Sequence, residues 1–208
     1  MASQFEIVVV GTSTGGLKAL QTLLSGLPAA FALPVVIVQH RGKDSDGGLC
    51  EFLSQWSSLP VVEPEDKEPV RPGQVYLAPR DYHLLIENAS FALSTDPPIG
   101  FARPSIDVLF ESAAAEYQQR VIGVILTGAN GDGARGLATI KSRGGLTIVE
   151  DPVSAARREL PQTAIAQATP DWILPLAEIA PHLNELSELS RRGVPAQDFL
   201  EVGVHHGN

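Results

Sequence analysis

Val8-Val9-Val10-Gly11-Thr12-Ser13-Thr14-Gly15-Gly16 decides the fold, because an apolar run ends there on a turn that only glycines permit. Ile7 to Val10 are β-branched and uniformly apolar, which suits a strand buried on both faces. Leu17, Leu20, Leu23 and Leu24 then recur at helical spacing, so strand, tight turn and helix follow one another. Glycine on both sides of Ser13 lets the backbone turn sharply. It leaves the hydroxyl projecting beside the first amides of the helix, which lack intrahelical partners.

Gly11-x-Ser13-x-Gly15 fits more than one chemistry. It matches a nucleophile elbow, in which strand-to-helix strain exposes a serine at the carboxyl edge of a sheet. It is also a dinucleotide fingerprint with the middle glycine replaced by Ser13, and that glycine is the one that admits pyrophosphate to the backbone. An NTPase phosphate loop fits less well, since no Gly-Lys-Ser/Thr closes the turn. The bland alternative is a plain glycine-rich connection.

With 208 residues, 44% of them hydrophobic and only 19% charged, the chain is expected to form one domain over residues 1–190 with a large buried core. Residues Arg191 to Asn208 mix Gly, Pro, Glu and His without period and read as a flexible tail. A net charge of −9 and a pI near 5.0 argue against nucleic acid as partner. The single cysteine, Cys50, reads as a half-buried helix residue in a reducing, cytoplasmic setting, and no apolar run is long enough to span a membrane. No metal or other cofactor is expected.

Further along, Pro34 to Gln39 is a second apolar strand ending on His40, and a right-handed crossover lays it parallel to the first. Leu49 to Trp56 reads as a helix with Leu49, Phe52, Leu53 and Trp56 on its core face. From Leu59 to Pro104 recurrent prolines break any long helix. Gln74 to Ala78, His83 to Glu87 and Phe91 to Ser94 read as strands of an antiparallel insertion, the last two forming a hairpin. Ser105 is placed to cap a helix carrying Ile106, Val108, Leu109 and Phe110. Val121 to Leu126 is the next buried strand, and its Gly/Asn-rich exit, Thr127 to Gly133, is longer than a link to the following helix requires. Gly145 to Val149 and Trp172 to Leu174 complete the strands, with helices from Pro161 to Gln167 and from Ala177 to Leu189. The expected class is α/β: a doubly wound, mostly parallel sheet in three layers with an antiparallel β-hairpin insertion.

In such a sheet the crevice lies at the carboxyl ends flanking the first strand. That strand carries Ser13, one neighbour carries His40, and the strand on the other side carries Asp132. A serine hydroxyl needs a base within hydrogen-bond reach, and an imidazole needs a carboxylate to hold its tautomer. Ser13, His40 and Asp132 meet that demand in type. His83 and His182 are rival bases, and Asp44, Asp46, Asp81, Asp107 and Asp151 are rival carboxylates. The order Ser, His, Asp differs from that of α/β-hydrolases, so convergence on the triad is the better reading.

Gly11-Thr12-Ser13-Thr14-Gly15-Gly16, Gln39-His40, Pro79-Arg80-Asp81-Tyr82-His83, Arg103-Pro104-Ser105-Ile106-Asp107-Val108-Leu109-Phe110, Leu126 to Gly133 and Leu160-Pro161-Gln162-Thr163-Ala164 resemble, in that order, the catalytic domain of CheB-type chemotaxis receptor methylesterases. The resemblance spans about Phe5 to Leu189. It implies hydrolysis of glutamate methyl esters on the cytoplasmic helices of methylated chemoreceptors, sometimes with deamidation of receptor glutamines. By the same match Ser13 is the nucleophile, His40 the base and Asp132 its orienting carboxylate. Thr12, Thr14, Gly15, Ala129 and Asn130 fall at oxyanion or substrate-binding positions. The chain departs from the usual pattern at Ala129, at Arg41-Gly42 and at Glu159-Leu160. It also shows no stretch for the receiver domain that typical members carry ahead of the catalytic strand. The expectation is an open crevice, with control supplied by a separate receiver or regulatory protein. The alternative is a catalytically degenerate relative that acts as a receptor- or partner-binding module.

Overall fold

In a computed structural model, which describes residues 5–41 and 48–193, the first strand, β1 (Ile7–Thr12), occupies the middle of a seven-stranded parallel sheet. The chain runs from β1 through α1 (Gly16–Ser25) to β2 (Val35–Gln39), α2 (Leu49–Ser54), β3 (Val61–Val62) and β4 (Val75–Leu77) on one side. A hairpin of β5 (His83–Glu87) and β6 (Ser90–Ser94) and the helix α3 (Ile106–Tyr117) carry it back to the other side. There it continues through β7 (Val121–Ile125), α4 (Ala134–Ser142), β8 (Leu146–Glu150), α5 (Glu159–Ala168), β9 (Trp172–Leu174) and α6 (Leu176–Arg191). The strand order β3-β4-β2-β1-β7-β8-β9 is doubly wound, with β1 paired to β2 and to β7. Both neighbours of β1 are thus the strands whose exits carry His40 and Asp132.

Burial on both faces of β1 explains why Ile7 to Val10 are apolar without exception. Val8 and Val10 face one layer, with Leu20, Leu23 and Leu24 of α1, Leu53 of α2, and Ile179 and Leu183 of α6. Ile7 and Val9 face the other, with Ile106, Leu109 and Phe110 of α3, Leu137 and Ile140 of α4, Leu160 of α5, and Leu84 and Phe91 of the hairpin. The hairpin is fixed to α3 through its turn. Asn88 and Ala89, both at positive φ, donate their amides to the Glu116 carboxylate at 3.1 and 3.0 Å.

Several local expectations are corrected. The strand expected at Gln74 to Ala78 belongs to the parallel sheet beside β2, not to the antiparallel insertion, and the two-residue β3 was not foreseen. Leu17, counted on the core face of α1, is 45% exposed; the buried residues of the helix are Gly16, Ala19, Leu20, Leu23 and Leu24. Trp56 falls beyond the end of α2 and is also exposed. Cys50 lies on α2, half-buried, and burial pushes its thiol up to about 11, so it is a poor nucleophile. The closing helix reaches Arg191; the rest of the expected tail, and the Gly42 to Gly47 part of the loop after His40, lie outside the described residues. Among the described residues no helix is long and apolar enough to cross a membrane.

Candidate active site

The turn after β1 is held from below. The Ser13 amide donates to the Thr127 carbonyl at 3.0 Å, and the Gly16 amide returns to the Ser13 carbonyl at 2.9 Å. Gly15, the N-cap of α1, has φ +86, and a Cβ there would come 2.7 Å from Ala156 Cβ. Gly16 is constrained by space instead: a Cβ would lie 2.0 Å from Gln39 Oε1 and 2.5 Å from Thr12 Oγ1. Gln39 cannot give way freely, because its Nε2 donates to the carbonyls of Ser13 (2.9 Å) and His40 (2.7 Å). Gly16→Ala is therefore expected to cost about 1–3 kcal/mol through overpacking. The check is an earlier midpoint in chemical denaturation with an unchanged slope.

Three side chains meet at the carboxyl edge. His40 Nε2 lies 2.6 Å from Asp132 Oδ2, and its Nδ1 lies 3.2 Å from Ser13 Oγ. A carboxylate only accepts, so Nε2 carries the hydrogen and Nδ1 presents its lone pair to the serine. The ring is turned the opposite way from that of the chymotrypsin-type proteases, whose Nδ1 faces the aspartate. Asn130 Nδ2 also lies 3.2 Å from Nδ1, so two donors share one lone pair. Ser13, His40, Arg41 and Asn130 border a cleft of about 420 Å³.

Asp132 is held more tightly than an orienting group requires. Besides His40 it accepts from the Ser105 hydroxyl (2.7 Å), the Ile106 amide (2.7 Å) and the Asp107 amide (3.2 Å). Burial alone would raise its pKa, but the hydrogen bonds from His40, Ser105 and Ile106 outweigh it and hold the carboxyl below its ordinary range. The expected cap at Ser105 is thus right in position and different in mechanism. Its hydroxyl makes no cap bond, and the first turn of α3 is capped by Asp132 from across the crevice. The relation is reciprocal: Asp107 Oδ1 accepts the amides of Gly133 (2.9 Å) and Gly136 (2.7 Å) at the start of α4. Burial raises the Asp107 pKa, and these amides act against the rise. Ser105 and Asp107 were not singled out for this part by sequence reasoning, and no local pattern ties them to a carboxylate so far along the chain.

The other assigned residues divide. Thr14, Gly15, Ala129 and Asn130 are exposed around Ser13, whereas Thr12 is fully buried and its hydroxyl donates to the Thr127 carbonyl at 2.9 Å. Thr12 therefore ties the exits of β1 and β7 together and does not face the cleft. Thr127 is the centre of that tie: its amide donates to the buried Glu150 carboxylate at 2.8 Å and its hydroxyl donates to the Thr14 carbonyl at 3.0 Å. Burial raises the Glu150 pKa. Among the rivals, His83 is enclosed between the Ser105 amide and the Pro97 carbonyl. His182 packs against Trp172 with its pKa lowered by burial. Asp81 pairs with Arg103, and Asp151 accepts the Val153 amide; Asp44 and Asp46 lie outside the described residues. Arg41 turns to Glu63 and the Ala78 carbonyl, leaving the approach of Ser13 to His40 clear.

Known proteins resemble the chain over most of its length. The family model described as CheB methylesterase matches residues 8–183. A protein of Leptospira interrogans is 47% identical over 177 residues, covering 85% of this chain and 92% of the relative. Protein-glutamate methylesterase/protein-glutamine glutaminase 2 of Anaeromyxobacter dehalogenans is 40% identical over 186 residues, 89% of this chain and 54% of that protein. The crystal structure of the Thermotoga maritima CheB methylesterase catalytic domain superposes with a TM-score of 0.83 at 38% identity, covering 88% of this chain and 98% of that one. With the family model matched over residues 8–183 and relatives 40–47% identical over most of its length, the chain belongs to the CheB methylesterase family.

Proposed function

We propose that this chain is a serine esterase that hydrolyses glutamate methyl esters on chemoreceptors and deamidates receptor glutamines at the same centre. The observation that carries the reading is the position of the His40 ring, with Nδ1 toward Ser13 and Nε2 toward Asp132. Ser13 Oγ attacks the ester carbonyl as His40 Nδ1 takes its proton, and the Asp132 carboxylate balances the imidazolium that forms. The tetrahedral oxyanion is received by the amides of Thr14 and Gly15, with Ala129 and Asn130 on the opposite wall. The Ser13 and Gly16 amides are committed to Thr127 and Ser13 carbonyls and take no part. The imidazolium then protonates the ester oxygen as methanol leaves, or the amide nitrogen of a glutamine as ammonia leaves, and water repeats the sequence on the acyl-enzyme. Regulation by a separate receiver or regulatory chain belongs to the same proposal.

Release of methanol from a methylated cytoplasmic receptor fragment tests the reading. Hydrolysis is expected to proceed at neutral pH and to depend on the free lone pair of His40 Nδ1. Asp132, held below the ordinary carboxylate range, should remain ionised and paired with His40 as the pH is lowered from neutrality to about 5. A rate unchanged throughout the acid range would exclude His40 as the base, and no methanol at any pH would exclude the esterase.

A further inference from the structure

On the lip of the cleft that holds Ser13, Phe101 is 104% exposed and stands at φ +71, directly after Gly100 at φ +54. Both features are unfavourable for the isolated chain: a bulky residue in the left-handed region is strained, and a bare aromatic ring loses the benefit of burial. Yet the loop is not slack. The Ile99 amide donates to the Ala102 carbonyl at 3.1 Å and the Ala102 amide returns to Ile99 at 2.9 Å. Below the tip, the Arg103 guanidinium holds the carbonyls of Thr95 (2.8 Å) and Asp96 (3.1 Å) together with the Asp81 carboxylate. A braced loop that presents an unburied ring has the form of a docking knob.

We infer that Phe101 is the apolar anchor that seats the helical receptor segment carrying the esterified glutamate; this rests on the esterase reading above. The occupant follows from continuity with the cleft: a protein segment that delivers its ester to Ser13 Oγ passes over the lip where the ring stands, while a small ester can enter without touching it. An apolar side chain flanking the esterified glutamate would cover the ring. Phe101 then determines specificity for protein over small esters and takes no part in the chemistry.

The test compares the full chain and Phe101→Ala on a methylated receptor fragment and on a capped glutamate γ-methyl ester. The variant should lose roughly 10- to 100-fold in kcat/KM on the fragment, chiefly through KM, and stay within about twofold of wild type on the small ester. Phe101→Leu should recover part of the loss. In a Ser13→Ala background, which cannot turn over, fragment binding should weaken by a similar factor. Equal losses on both substrates would assign the ring a structural role and overturn the proposal, as would no loss on either. A drop in sedimentation mass on substitution would overturn it too, by giving the ring to a second copy of the chain. Failure of the esterase reading is seen separately, as small-ester turnover that survives Ser13→Ala in otherwise unmodified protein.

Discussion

Ser13→Ala is expected to lower methanol release by about 10⁶-fold, the scale on which serine hydrolases respond to loss of the nucleophile. The size follows from the geometry: among the described residues, the Ser13 hydroxyl, 3.2 Å from Nδ1, is the side chain that pairs a nucleophile with the base. The cost to the fold should be small. What Ser13 contributes to the turn is backbone, namely its amide to Thr127 and its carbonyl toward Gly16 and Gln39, and alanine keeps all of it. The thermal midpoint should therefore stay near that of wild type while activity disappears. A variant that retains activity would remove Ser13 from the mechanism.

Asp132→Asn should be nearly as severe for catalysis, about 10⁴-fold, and unlike the serine change it should also destabilise. The amide keeps one accepting oxygen and replaces the other with a donor. With nitrogen at the Oδ2 position, it faces the Ile106 amide and drives His40 to the tautomer whose Nδ1 carries the hydrogen, leaving Ser13 without a base. With nitrogen at the Oδ1 position, it faces the Ser105 hydroxyl and the Asp107 amide. In either case a donor meets a donor at the start of α3, at a cost of about 1–3 kcal/mol. The sign with pH is set by the lowered pKa of Asp132. Its contribution to stability is present above the unfolded value of about 4 and is lost as pH falls through the folded value. Denaturation of the two proteins should thus differ most near neutrality and converge in strong acid. A gap that widens on acidification would contradict this account of the carboxylate.

Much of this arrangement was legible because buried parallel strands are written as uninterrupted apolar runs. Val8 to Val10, Val35 to Val38 and Val121 to Leu126 name themselves, and right-handed crossovers then put their exits side by side. Whatever depends on a partner distant in sequence was not legible. Val61 and Val62 become a strand only through pairing with β4, and Leu17 and Trp56 are apolar residues whose exposure is decided by where the helices end. Thr12 and Thr14 look alike in the turn, yet one points into the seam between β1 and β7 and the other is exposed beside the cleft. The Ser105 hydroxyl bonds a carboxylate 27 residues away, a choice made by the packing of α3 beside the β7 exit.

The mutual capping of α3 and α4 makes the Asp132 charge part of the framework, and this bears on how the protein fails with heat. Helix ends are where native structures open first, at a free energy below that of global unfolding. When the first turn of α3 frays, the Ile106 and Asp107 amides leave Asp132, and the carboxylate loses the contacts that keep it ionised and aimed at His40. Inactivation on warming is then expected as a local melting event at this turn, running ahead of the collapse of the sheet.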